Sequence, residues 1–291
     1  MVSPPMEVRP GESSAGASSR EAWNDAVIES ITQETPTVRS FRLRPRTWRP
    51  FLAGQHVDVR LTAPDGYTAQ RSYSVTSSPD DAGVLELAIE RLNDGEVSPY
   101  FHEVAQPGDV VEVRGPFATH FAWRPAPDEP VLLVAGGSGV APFISMVRHR
   151  AHLPDPPPMT LVYSARTWND VIYRDELLGH ERRQDGLSLV VCLTRPVAGA
   201  TDVRGVPLAP GEGVATTPGA PVRGEGETTR RADFGRRIDG EILTAALDRL
   251  AAPLRLAFVC GRNSFVDAVA SRLVAIGVAP GEIRTERYGG A

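Results

Sequence analysis

The chain has 291 residues, 41% of them apolar and 23% charged, and a formal net charge of −5. That length accommodates two compact domains, and the acidic balance argues against a general nucleic-acid binder, which would be basic. Two cysteines, Cys192 and Cys260, are too few for a disulfide framework, a cysteine-rich zinc site or a four-cysteine iron–sulfur cluster, so any electron chemistry calls for a bound organic cofactor and no metal.

Residues 1–20 are rich in Ser, Gly and Pro without apolar periodicity, and a disordered tail is expected there. No basic segment followed by an apolar one opens the chain, so a cytoplasmic protein, read here as a monomer, is the expectation. Over 21–124, Val57, Val59 and Leu61 alternate with Asp58 and Arg60, and Leu85, Leu87 and Ile89 with Glu86, Ala88 and Glu90. That period of two, broken at Pro64-Asp65-Gly66 and Pro107-Gly108-Asp109, predicts an antiparallel barrel or sandwich. A short helix is expected over 98–104, and Pro125-Ala126-Pro127 reads as a linker. Beyond it, over 130–291, buried strands are expected at 131–135, 160–163, 188–193 and 255–260. Helices separate them near 142–151, 174–180, 240–250 and 263–276, which predicts an α/β domain with a parallel sheet. The most apolar run, 131–147, contains Gly136, Gly137, Gly139 and Pro142 and is too short to cross a bilayer. Segment 197–232, an insertion with seven glycines and four prolines in 36 residues and no periodicity, is expected to be disordered.

Two stretches carry chemistry. The first strand of the second domain runs into Gly136-Gly137-Ser138-Gly139-Val140-Ala141-Pro142 and then a helix. Glycines let a pyrophosphate approach the main chain, and a helix N-terminus offers N–H groups and a favourable dipole. Pro142 suits the first helical turn because it has no N–H to lose. Alone, this turn also reads as a tight strand–helix connection without a ligand. In Arg71-Ser72-Tyr73-Ser74-Val75-Thr76-Ser77, strand alternation puts Arg71, Tyr73 and Val75 on one face and Ser72, Ser74 and Thr76 on the other. Arginine can hold phosphate, tyrosine can lie on a flat ring and serine can bond a ring nitrogen, though an ordinary surface strand has the same composition.

Together the motifs say more. Arg71-x-Tyr73-Ser74, Gly95-x-x-Ser98, Gly115-Pro116, Gly137-x-Gly139-x-x-Pro142, Cys260-Gly261 and Glu286-x-Tyr288 occur in the order and spacing of the ferredoxin–NADP reductase family. The chain resembles that family over residues 23–291. The resemblance implies an N-terminal antiparallel β-barrel that binds FAD and a C-terminal Rossmann-like domain, with a parallel sheet, that binds NADP or NAD. It implies that Arg71 contacts the FAD pyrophosphate, Tyr73 stacks beside the isoalloxazine and Ser74 lies near flavin N5. Gly95, Glu96, Val97 and Ser98 would open a helix whose amides take the remaining phosphate charge. Ser74, Cys260, Glu286 and Tyr288 match the four residues that surround the site of hydride transfer in the family. Tyr288 would then cover the flavin face opposite Tyr73 and move aside for nicotinamide, with Cys260 a soft apolar wall. On residue type alone, Cys260 is a buried strand-end cysteine and Glu286 a tail carboxylate. In plant-type members the aromatic residue is the last one, whereas Gly289-Gly290-Ala291 follow Tyr288 here.

A 2′-phosphate calls for arginines near the adenine ribose. Ser164 and Arg166 follow the second strand of the domain, and Thr194 and Arg195 the third, while Arg237 resembles a basic position in NADP-using bacterial relatives. These favour NADPH over NADH, although all 31 basic residues are arginine and chance placement is a fair alternative. Arg42, Arg44 and Arg46 share a strand face and, with Arg39 and Arg49, could steer an acidic ferredoxin or flavodoxin; a solvated barrel face is the plainer reading. The expected function is an FAD-dependent NAD(P)H oxidoreductase that passes electrons to a separate protein. A flavin reductase acting on free flavin, or a nucleotide-binding module without turnover, are the alternatives.

Overall fold

The computed structural model describes residues 22–92, 95–117, 120–195, 201–202, 231–250 and 252–288. The tail at 1–20 and all of the 197–232 insertion except 201–202 and 231–232 lie outside the described residues.

Period-two alternation builds the first half. Strands β1 (Asn24–Thr35), β2 (Val38–Pro45), β3 (His56–Thr62), β4 (Thr68–Ser74), β5 (Leu85–Glu90) and β6 (Val110–Phe117) form a six-stranded sheet ordered β4-β3-β6-β1-β2-β5. Every neighbouring pair is antiparallel. An isolated bridge between Val75 and Leu87, with the Thr76 N–H donating to the Glu86 carbonyl (2.8 Å), brings the end of β4 to β5 and curls the sheet into a barrel. Inward residues such as Ile28, Phe41, Val57, Val59 and Leu87 fill it. Helix α1 (Val97–Glu103) closes one side, starting one residue before the expected position, with Phe101 edge-on to Phe41 at 4.8 Å.

In the second half, continuous apolar strands alternate with helices. These are β7 (Val131–Gly136), α2 (Ala141–Arg150), β8 (Met159–Ala165), α3 (Arg174–Arg182), β9 (Leu187–Leu193), β10 (Thr201–Asp202), β11 (Arg231–Ala232), α4 (Gly240–Asp248), β12 (Leu256–Gly261), α5 (Asn263–Ala275) and β13 (Ile283–Arg287). The main sheet runs β13-β12-β7-β8-β9, all parallel, with helices covering its faces. Asp239 caps α4 by accepting the Ile242 N–H at 3.0 Å. The short strands β10 and β11 pair in parallel, and buried Asp233 accepts the Val191 N–H (2.8 Å) and pairs with Arg249, which pins the second end of the insertion to β9.

Strand β13 is an addition to the sequence reading. Ile-Arg-Thr-Glu-Arg has one apolar residue, so an edge strand here leaves no periodic signal. It converts Glu286 from a tail residue into a member of the sheet, in register with Cys260. The two halves share one apolar core, in which Val38, Ala53, Ala88, Phe121 and Trp123 pack with residues of β7, α2 and β8. The Arg284 guanidinium also donates to the His120 carbonyl (2.7 Å), tying β13 to the loop after β6.

Candidate active site at the domain junction

Ser74 is the last residue of β4 and Glu286 lies in β13, 212 positions later, yet the Ser74 hydroxyl donates to the Glu286 carboxylate at 3.1 Å. Burial pushes the Glu286 carboxyl above its ordinary range, against the lowering effect of that hydrogen bond. Cys260, one strand inward, is 2% exposed. Burial, and then the neighbouring Glu286, raise its thiol well above the usual range, which favours the neutral thiol. Tyr288 leaves β13 with its N–H on the Gly261 carbonyl (3.2 Å) and its hydroxyl donating to the Gly136 carbonyl (2.6 Å). Parallel pairing of β13, β12 and β7 thus delivers Glu286, Cys260 and Tyr288 to one edge, and the barrel supplies Ser74.

On the barrel side, Tyr73 is half-buried against the edge of Phe101, with ring centroids 6.4 Å apart, and burial raises its phenol. Arg71, on the same strand face, is exposed; it donates to the Gln70 carbonyl (2.7 Å) and has no carboxylate partner among the described residues. Gly95 and Glu96 lead into α1, where Val97 is buried and Ser98 accepts the Leu92 N–H at 3.1 Å. The Glu96 carboxylate faces the barrel hairpin, accepting the Tyr67 hydroxyl at 2.9 and 3.0 Å.

On the sheet side, a cavity of about 430 Å³ opens beyond the carboxyl ends of the strands. Gly137, Ser164, Arg166, Thr194, Arg237 and Tyr288 line it. Gly139, Pro142 and Arg195 do not. Gly139 has a packing reason instead: a Cβ there would stand 2.4 Å from the Cys260 carbonyl oxygen. Pro142 is buried in the first turn of α2. Arg195 is exposed beside the cavity, its N–H on the Arg166 carbonyl (2.7 Å).

Sequence reading missed several wall residues. Thr35, Thr37 and Glu90 reach the cavity from the barrel, and Arg262 and Arg272 from the second half. Arg262 stands in the loop after β12, the place where such ligands bind, so that rule could have found it. Arg272 comes from a helix face and carried no signal. Arg166, Arg237, Arg262 and Arg272 are exposed and have no carboxylate partner among the described residues. Neighbouring Arg236, by contrast, is committed to Asp239 (3.2 Å) and Glu241 (2.7 Å). Of the cavity's carboxylates, Asp170 is turned back onto Thr167 and Glu90 accepts from Ser138 (2.7 Å). The remaining arginines favour an anionic ligand.

The main chain is shaped for close approach. Gly137 has φ +57, and a Cβ there would meet the Tyr288 hydroxyl at 3.0 Å. Gly136 and Gly261 both lie against the Phe265 ring, where a Cβ would come within 3.0 and 2.5 Å. The stretch from Gly137 to Val140 turns as a 3₁₀-helix into α2, so a glycine-lined helix start faces the cavity. The exposed arginines and the glycine-lined turn of this cavity fit a dinucleotide phosphate.

Residues 25–122 match the family model of the oxidoreductase FAD-binding domain, and residues 133–209 that of the oxidoreductase NAD-binding domain. Ferredoxin–NADP reductase B of Sorangium cellulosum (strain So ce56) is 32% identical over 173 residues, 59% of this chain and 70% of that protein. The chain belongs to the ferredoxin–NADP reductase family. As a member it is an oxidoreductase with FAD-binding and NAD-binding domains. The glycine betaine monooxygenase reductase subunit of Chromohalobacter salexigens is 36% identical over 150 residues, half of this chain but 40% of that longer protein. A ferredoxin NADP+ reductase from Neisseria gonorrhoeae, solved with bound FAD and NADP, shares the fold with a TM-score of 0.65 and 21% identity. The match covers 91% of this chain and 98% of that one. Among the described residues no helix is long and apolar enough to cross a membrane.

Proposed function

We propose that this protein moves a hydride between NADPH and FAD at the domain junction and passes the electrons to a separate protein acceptor of ferredoxin or flavodoxin type. The observation that carries this reading is the Ser74–Glu286 hydrogen bond, which joins the barrel to the nucleotide-binding sheet at one point. We assign residues 21–124 to FAD and 130–291 to the nicotinamide dinucleotide.

FAD, when bound, supplies the electron chemistry, taking a hydride and releasing its electrons to the acceptor. The chain's part is to bind, orient and exclude water. Tyr73 offers a ring platform, Arg71 a guanidinium for the pyrophosphate, and the first-turn amides of α1 after Gly95, Glu96, Val97 and Ser98 the remaining phosphate donors. The loop from Gly137 to Pro142, with Ser164 and Thr194, holds the second dinucleotide, and Arg166, Arg237 and adjacent Arg195 favour a 2′-phosphate. Ser74 and Glu286 form a proton-bearing pair beside the reacting ring, and Cys260 is an apolar wall. Tyr288, held on the Gly136 carbonyl, stands within the cavity and has to leave that position for a nicotinamide ring to lie there. The relatives include reductase components of monooxygenases, which supports a protein acceptor.

Anaerobic titration of the purified holoprotein with NADPH and NADH in parallel tests the reading. Flavin absorbance should bleach with NADPH at lower concentration than with NADH. FAD that stays bound through gel filtration separates this function from release of reduced flavin as product. No bleaching by either nucleotide would sink the proposal and leave a nucleotide-binding module.

A further inference from the structure

Helix α2 starts at the nucleotide loop, and one of its faces grips the segment that follows Ser74. Ser145, Arg148 and His149 are spaced i, i+3 and i+4 and share that face. The Ser145 hydroxyl, fully buried, donates to the Ser77 carbonyl at 2.7 Å. Arg148 Nη1 donates to the Thr76 carbonyl at 3.0 Å, and His149 Nδ1 meets the Asp80 carboxylate at 2.7 Å. All three anchors fall in the few residues that continue from Ser74.

Arg148 reaches further. Its Nη1 also donates to Glu86 of β5 (2.7 Å), while Nε and Nη2 form a two-pronged pair with Glu176 of α3 (2.7 and 2.8 Å). Its guanidinium lies 5.1 Å from the centre of the Tyr173 ring. The Tyr173 hydroxyl donates to Glu86 (2.8 Å) and lies 3.2 Å from the Thr76 hydroxyl. Tyr173 holds a left-handed φ of +53, a conformation a tyrosine adopts only where its surroundings impose it.

We propose that Arg148, braced by Tyr173, is a positioning residue for hydride transfer: it fixes the helix that begins at the nucleotide loop against the segment that follows Ser74. Nε and Nη2 of the planar guanidinium hold α3 through Glu176 while Nη1 holds Thr76 and Glu86 on the barrel side, so the group sets distance and angle together, which a point charge does not. Rate depends steeply on that separation, because a misplacement of about 1 Å at the reacting centre can cost on the order of a hundredfold. Neither residue lines the nucleotide cavity, so ligand binding and ligand alignment are separable here.

The inference rests on the hydride-transfer reading above, and Arg148→Lys tests it while keeping the charge that Glu86 and Glu176 require. In holoprotein that retains FAD, the limiting rate of anaerobic bleaching by NADPH should fall about tenfold or more. The dissociation constant for NADP+ should stay within about twofold. The long-wavelength charge-transfer absorbance of the reduced flavin with NADP+ should weaken, a signature that lost stability alone does not move. Tyr173→Phe should shift both readouts the same way by about threefold, and it carries the test if Arg148→Lys does not fold. Wild-type limiting rate and absorbance in the folded variants overturn the proposal, as does weaker binding at an unchanged limiting rate. A wild-type protein that does not bleach at all overturns the function itself, which keeps the two failures distinct.

Discussion

Glu286 meets two opposing demands, burial that favours the neutral carboxyl and a Ser74 hydroxyl that favours the anion, and burial is the larger. Its folded pKa therefore lies above the unfolded value near 4.5. The stabilising contribution of the buried neutral form is fully present below that value and is lost as pH rises through the folded pKa. Glu286→Gln is neutral at every pH, so the melting temperature of the variant should gain on wild type from acid towards neutrality. A constant difference across that range would show that folding leaves the Glu286 carboxyl unshifted. Arg237 offers a second test at this scale. A charge-assisted hydrogen bond contributes roughly 1.5–3 kcal/mol, so Arg237→Ala should raise KM for NADPH by about tenfold or more. KM for NADH should be unchanged; an equal rise for both nucleotides would remove Arg237 from the 2′-phosphate site.

Strand and loop set the next level. β12 ends beside the glycine turn after β7, and Gly139 exists for that approach, since a Cβ would meet the Cys260 carbonyl at 2.4 Å. Backbone does not yield as a flexible side chain does. Gly139→Ala should therefore cost about 1–3 kcal/mol, as overpacking does. The melting temperature should drop on the order of 5 °C, with weaker binding of NADPH and FAD still retained. Loss of FAD with the nucleotide site intact would mean that the turn serves the barrel instead. β13 makes its contribution differently, through register with β12, which carries Glu286 and then Tyr288 to the junction.

Over the whole molecule, the formal net charge is −5. Arg42 and Arg44 are exposed on β2, but Glu29 pairs with both, which weakens the basic face expected for docking an acidic acceptor. Arg39 is turned towards Gln33 and the His102 carbonyl. Arg46 remains exposed at the end of β2 without a carboxylate partner among the described residues. If this face steers an acidic protein, the double variant Arg42→Glu and Arg46→Glu should slow electron delivery about tenfold at low salt. The effect should fade as ionic strength shortens the Debye length to about 10 Å and below. An unchanged rate at low salt would assign docking to another face.

Period-two alternation around Val57 and Leu85, and buried apolar runs such as that of β7, are local signals. They separate barrel from parallel sheet without any long-range information, because each strand's burial is written in its own side chains. The FAD and nicotinamide motifs are local as well, since a phosphate site needs glycines and a helix start close together in the chain. Other features depend on partners far away in sequence. Glu286 reads as a tail carboxylate until β13 pairs with β12, and Ser74 as a surface serine until the barrel closes against the sheet. Arg272 and Thr35 reach the cavity only because a helix face and a hairpin from different domains converge there. Arg148 looks like any helical arginine in the sequence; its meaning comes from three elements packing around one planar group. Strands and turns follow from short-range sterics and burial, whereas a site between two domains comes into being only when their surfaces meet.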